Sequence, residues 1–155
     1  VTISGSADFA LSRSTVNVDT DGNGSADLRE ATLDSLAFAV TGATLDVTNV
    51  ANLTVSGELG LAYVTAAGES TARYTALILG DVTISASTAT ASDFGLNGAL
   101  TIADLDYNHA VAGFERLDWT TAFDLDDDGV ADTIDAGALL STPVDLAIDL
   151  PSSGR

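Results

Sequence analysis

The sequence predicts an all-β protein, an elongated sheet structure built from degenerate half-repeats, solenoid-like or a β-sandwich. Three observations predict it. Long stretches alternate apolar and polar residues with period two, the signature of a strand with one covered face. Thr, Val, Ser, Ala, Leu and Gly dominate a chain whose hydrophobic content reaches 46%, enough to bury a core. The only prolines are Pro143 and Pro151, both late, as expected if the earlier chain lies in continuous sheet.

In chain order, VTISGSADFALS (1–12) alternates strictly, with Val1, Ile3, Gly5, Ala7, Phe9 and Leu11 on one side, read as the inward side. STVNV (14–18) continues as strand. LREATLDSLAFAV (28–40) makes a mediocre helical stripe but a good strand through Leu36, Phe38 and Val40, with a short helical turn allowed at 28–34. LTVSGELGLAYV (53–64) repeats the opening pattern, with Leu53, Val55, Gly57, Leu59, Leu61 and Tyr63 inward. Gly5 and Gly57 occupy matched mid-strand places, which predicts a bulge or a close backbone approach there. RYTALILGDVTISAS (73–87) reads as a strand pair or one strand bent at Gly80 and Asp81, and LNGALTI (96–102) is a shorter echo. A further unit starts near LDWTT, as strand followed by acidic loop. The half-repeats are therefore about 1–52, 53–110 and 111–155, within one β-rich module of a longer tandem or polymeric array. The missing initiator Met marks the chain as a processed product or a segment of something longer.

Charge narrows the function. There are 23 acidic residues against five arginines and no lysine, for a net charge of −18. Such a chain repels nucleic-acid phosphate and anionic lipid. No apolar run reaches membrane-spanning length, so no membrane insertion is expected. Self-repulsion on this scale calls for compensating cations. Cysteine is absent, so there is no disulfide framework.

The acids are not scattered. In DTDGNGSADLRE (19–30), Asp19, Asp21, Asn23, Ser25, Asp27 and Glu30 stand at positions 1, 3, 5, 7, 9 and 12, with Gly24 at position 6. That is the ligand spacing of a twelve-residue calcium loop, in which position 7 offers its backbone carbonyl. DLDDDGVADTID (124–135) repeats it with Asp124, Asp126, Asp128, Val130, Asp132 and Asp135, and Gly129 at position 6. Two matches at corresponding places outweigh the alternative of ordinary Asp/Gly surface turns. The donors are oxygens, with no Cys and a single His in the chain, so two Ca²⁺ ions are expected rather than zinc. At position 12 of the second loop, Asp135 stands in for the usual Glu, a shorter arm. A strand, not a helix, leads into the first loop, so a sensor of the helix–loop–helix kind is disfavoured.

The two loops resemble those of thrombospondin type 3 repeats and dockerins, which carry the ligand series without a full helix–loop–helix. The wider pattern, with VTISGSADFAL, LTVSGELGLAYV, RYTAL and LDWTT interleaved with acidic loops, resembles repeat modules of giant secreted bacterial proteins of the RTX-adhesin kind. The calcium-roll nonapeptide of that group is not found. The resemblance implies an extracellular, cell-surface module ordered by external calcium.

The expected function is a calcium-stabilised structural repeat of an adhesin stalk, filament or matrix fibre, not an enzyme, whose expected partners are copies of itself, with extracellular glycans or surfaces as further candidates. Two alternatives stand beside it. A calcium-dependent carbohydrate-binding module would stack sugar on aromatics drawn from Trp119, Tyr63, Tyr74 and Tyr107. A fragment of a secreted hydrolase would need a pocket, the nearest candidate being His109 with Asp104 and Asp106. Packing roles are the commoner fate of such aromatics, and a lone strand-end His is commonly a surface residue. Arg13, Arg29, Arg73 and Arg116 are read as partners of neighbouring carboxylates.

Overall fold

The computed structural model describes residues 1–48, 51–88 and 98–153. Five long strands, β1 (Thr2–Val18), β2 (Leu28–Val47), β3 (Ala51–Thr65), β4 (Tyr74–Thr88) and β5 (Gly98–Ala110), form one antiparallel sheet in chain order. The rest of the described chain is irregular. It carries only the short pair β6 (Ile134–Asp135) and β7 (Ala147–Ile148), with a 3₁₀ helix (Ala136–Leu139) between them. The all-β expectation holds, and the strand preferred over helix at 28–40 is the first part of β2. Pairing in chain order lays β1 and β2 side by side with β3, β4 and β5 in a single sheet. Part of LNGALTI, residues 96–97, lies outside the described residues.

The strands are 13 to 20 residues long, well beyond the usual five or six. Bulges let such strands bend, and here they line up across the sheet. Register shifts fall between Ser4 and Ser6, between Val40 and Ala43, and between Ser56 and Glu58, all at one level. Gly5 and Gly57 are required there. A Cβ on Gly5 would stand 2.6 Å from Ala43 Cα, and one on Gly57 2.7 Å from Val82 Cγ2. The close approach predicted for this matched pair is thus real. β4 stays a single strand, bent where Asp81 takes a φ of 51°.

The core sits on one face, at the end of the sheet nearest the acidic loops. Val16, Val18, Ala31, Leu33, Ala62, Val64, Tyr74 and Ala76 are covered by Leu117, Trp119, Phe123, Ile134, Ile148 and Leu150 from the irregular segment. Trp119 is wholly buried and packs on Phe123 with ring centroids 5.6 Å apart. Each large side chain sealed this way contributes roughly 2–3 kcal/mol. Farther along, Ala37 meets Ala136, Leu140 and Leu146. Small sheet residues permit that approach: a Cβ on Gly60 would lie 3.3 Å from Leu146 Cβ.

The strand expected at 117–123 is not formed. Asp118 turns the chain instead: its carboxylate accepts the N–H of Thr120, and its carbonyl accepts the N–H of Thr121. The residues become a packed cover, with Trp119 N–H donating to Leu150 O at 2.9 Å.

The inward assignment for the opening strand is also overturned. Phe9 and Leu11 are 71% and 73% exposed. The registers place Phe9, Phe38, Leu59, Leu79 and Leu105 in one row across all five strands, and Leu11, Leu36, Leu61, Leu77 and Tyr107 in the next. These rows lie on the face opposite the covering segment. Alternation reveals which residues share a face but not which face the later chain will cover. The segment settles on the Ser/Ala side, where Ala10, Ala37 and Ala62 leave it room.

Candidate metal centre

The first acidic loop is the hairpin connection between β1 and β2, so a strand enters it, as the sequence predicts. The second lies in the covering segment, between Phe123 of the core and β6. The two loops nonetheless fold alike. The position-1 carboxylate accepts the N–H of position 6, at 2.7 Å for Asp19 and Gly24 and 2.9 Å for Asp124 and Gly129. Position 3 accepts from position 5, Asn23 to Asp21 and Asp128 to Asp126, both at 3.2 Å. Position 5 accepts from position 7, Ser25 to Asn23 and Val130 to Asp128. Position 9 reaches back to the N–H of position 2, Thr20 to Asp27 and Leu125 to Asp132. The N–H of position 9 also donates to the residue before the loop, Asp27 to Val18 O and Asp132 to Phe123 O. Gly24 and Gly129, with φ of 81° and 85°, supply the left-handed residue that reverses each loop.

This folding gathers carboxylates. Asp19, Asp21 and Asp27 each bring an oxygen to within 4.8 Å of the others', and so do Asp124, Asp126 and Asp128. Each triad can hold a metal ion. The donor set is entirely oxygen, which suits a hard cation. For Asp19, partial burial acts to raise the carboxyl pKa, and the N–H groups of Gly24, Gly22, Asp21 and Asn23 outweigh it, holding the group below the usual carboxylate range. A carboxylate kept ionised is the form that binds a cation.

The remaining predicted ligands are placed less uniformly. Asn23 donates its amide to Asp21 at 2.9 Å while its carbonyl accepts from Ser25. Glu30 closes the first loop at a φ of 54°, beside the register shift that starts β2, and is exposed. Asp135 has a structural duty: its Oδ1 accepts from Gly137 N–H at 2.9 Å, capping the 3₁₀ helix, and from Leu146 N–H at 3.3 Å. Ser25 and Val130, at position 7, are exposed and give their N–H groups to Asn23 and Asp128.

The fold brings the two loops together, which their distance in sequence hides. Asp19 N–H donates to Ala122 O at 3.0 Å. A cleft of about 430 Å³ between them is lined by Asp19, Gly24 and Arg29 on one side and Asp124, Asp127 and Gly129 on the other. Asp127, with a φ of 59°, belongs to this cleft and to neither ligand series. The loop spacing does not announce its left-handed backbone.

The other candidates are not assembled. His109 stacks on Tyr107, ring centroids 5.8 Å apart, on the face of the apolar rows. Asp104 and Asp106 are registered with Gly80 and Ile78 and so point to the opposite face. Trp119 and Tyr74 are core residues, while Tyr63 and Tyr107 are 38% and 48% exposed on the open face. Arg13 pairs with Asp34 at 2.6 Å, and Arg73 pairs with Glu69 and covers the Phe114 ring at 4.3 Å. A residue missed in the sequence is Asn108, buried beside His109. It donates to Leu117 O and Pro151 O and accepts from Trp119 Nε1, pinning the cover to β5. Its even parity with the inward Asp104 and Asp106 is the signal that marks it.

Comparison with protein-family models, with curated proteins and with solved structures finds no match to this chain. Among the described residues, no helix is long and apolar enough to cross a membrane.

Proposed function

We propose that the chain is a calcium-stabilised structural module of an extracellular surface protein, an adhesin stalk, filament or matrix fibre in which it meets copies of itself. One observation carries the reading: two loops far apart in sequence make the same five hydrogen bonds and each gather three carboxylates. Calcium fits them because it takes six to eight oxygens in flexible geometry. The loops carry a large share of the acidic charge in a chain of net charge −18, so an ion in each relieves repulsion where it is densest. Each ion would also fix a connection to the core, the first between β1 and β2 and the second between Phe123 and β6. Calcium then acts as a staple: it binds the folded chain in preference to the unfolded one and stabilises it accordingly. The resemblance of the loops to those of thrombospondin type 3 repeats and dockerins, and of the whole to modules of giant secreted adhesins, supports an extracellular site, where calcium is abundant.

The test is thermal unfolding followed by the fluorescence of Trp119, in about 2 mM calcium and in chelator, since [L] of 100 Kd adds about 2.7 kcal/mol per site. A rise in Tm by several degrees with calcium is expected. An identical Tm in the two conditions removes the staple.

A further inference from the structure

The face of the sheet opposite the core carries apolar rows, and among the described residues no other segment packs on it. Two complete rows cross all five strands without a charged residue, and the edge positions Phe9, Leu11 and Leu105 are 71%, 73% and 48% exposed. Contiguous apolar patches beyond a few hundred Å² mark interaction sites. With strands about 4.8 Å apart and same-face residues about 6.8 Å apart along each strand, five strands by three rows make a face of about 24 by 20 Å, close to 500 Å². Two such faces together bury about 1,000 Å² before side-chain corrugation is counted, the size at which specific interfaces begin.

We infer that this face pairs with the same face of a second copy of the chain, closing a two-sheet sandwich. Charge selects the occupant. A chain of net charge −18 repels its copies wherever its acids meet. On this face the third row carries one charged pair, Arg13 and Asp34, which compensate each other at 2.6 Å. It is therefore the part of the sheet that meets its own likeness without opposing like charges, as a two-fold interface demands. A basic partner would be drawn to the acidic loops instead, and these three rows offer it no carboxylate beyond the one Arg13 already holds. Sheets packed this way lie about 10 Å apart with strands crossing at about 30°.

The inference shares with the structural-module reading the premise that copies meet, and takes no support from the loops. Sedimentation equilibrium in constant calcium at about 10 μM tests it, a concentration at which weak but specific pairs persist. The wild-type chain is expected at twice its 15.7 kDa mass. Leu11→Asp and Leu105→Glu, on opposite edge strands and outside the core, should each raise the dimer Kd about 30-fold or more while leaving circular dichroism and Trp119 fluorescence unchanged. Hydroxyl-radical labelling of Phe9 and Tyr107 in the wild-type chain, expected to fall as concentration rises, needs no variant. A wild-type chain at monomer mass overturns the inference, as do both variants retaining the dimer mass. So does a monomer that floats with zwitterionic vesicles, which would hand the face to lipid. Each of those results leaves a calcium-dependent Tm intact, so this inference and the staple fail separately.

Discussion

The backbone N–H of Asp19 donates to the carbonyl of Ala122 at 3.0 Å, so the first residue of one acidic loop is fastened two residues ahead of the first residue of the other. Asp124 follows Phe123, a core residue that also receives the Asp132 N–H. The two loops therefore share a short rigid link, and fixing one restricts the other. Coupling of this sort typically amounts to 5-fold or more in affinity. We expect Asp124→Asn to weaken calcium binding at the intact first loop about 5-fold in calorimetric titration. An unchanged first-loop affinity would mean two independent sites.

Glu30 combines a left-handed backbone with a ligand position, and the two make opposite predictions for one substitution. A non-glycine residue at φ 54° carries roughly 1 kcal/mol of strain that glycine relieves, offset in part by the freedom glycine gains on unfolding. In chelator, Glu30→Gly should match or slightly exceed the wild-type Tm. In calcium it should fall below it, because the ion loses a carboxylate. A Tm that rises equally in both conditions removes Glu30 from the ligand set.

How far the sequence discloses this molecule depends on whether the deciding interaction is local. Loop turns are local: Asp19 meets Gly24, and Asp124 meets Gly129, within five residues, so spacing alone predicts them. Strand alternation is local too, and it pairs Phe9 with Leu11 on one face. Which face becomes core depends on residues 117–150 folding back more than 70 residues away from β2. The choice turns on volume at Ala37, Gly60 and Ala62, a property of two neighbouring strands together. The same limit hides the cleft between the loops, and Asn108, whose partners Leu117, Trp119 and Pro151 lie 9 to 43 residues on.

Asn108 is the next test of that cover. It is 6% exposed and satisfies three groups, two of them in buried bonds and the third, Pro151 O, part-buried. Asn108→Leu keeps the branched outline but orphans Trp119 Nε1 and the Leu117 carbonyl, each worth about 1–3 kcal/mol when left unpaired, and removes the bond to Pro151 O. A loss of about 3 kcal/mol or more in urea unfolding is expected, with calcium present, alongside a red shift of the Trp119 emission. A change under about 0.5 kcal/mol, the scale of an ordinary surface substitution, would show that water takes over these bonds.

Gly137 offers a steric counterpart with no polar component. A Cβ there would lie 2.1 Å from Val144 O, backbone against backbone, so the 3₁₀ helix and the strand end β7 would have to separate. Gly137→Ala should destabilise the chain by about 1–3 kcal/mol, as overpacked sites do, and should do so equally in calcium and in chelator. If the loss appeared in calcium alone, the helix would owe its place to the second loop's ion through the Asp135 cap.

Asp8 ties the far end of the cover to β1, its carboxylate accepting the hydroxyl and the N–H of Ser141, the latter at 2.7 Å. Those two bonds hold its carboxyl below the usual carboxylate range. A folded value lower than the unfolded one of about 3.9 means that the contribution is complete above that value and is lost as pH falls through the folded one. Asp8→Asn cannot ionise, so it should melt below the wild-type chain near neutral pH, and the gap should narrow as acidification goes below the unfolded value of about 3.9. Both chains are compared without added calcium, so protonation of the loop carboxylates is common to the two and cancels. A gap that stays constant across this range would assign the Asp8 contribution to shape rather than to charge.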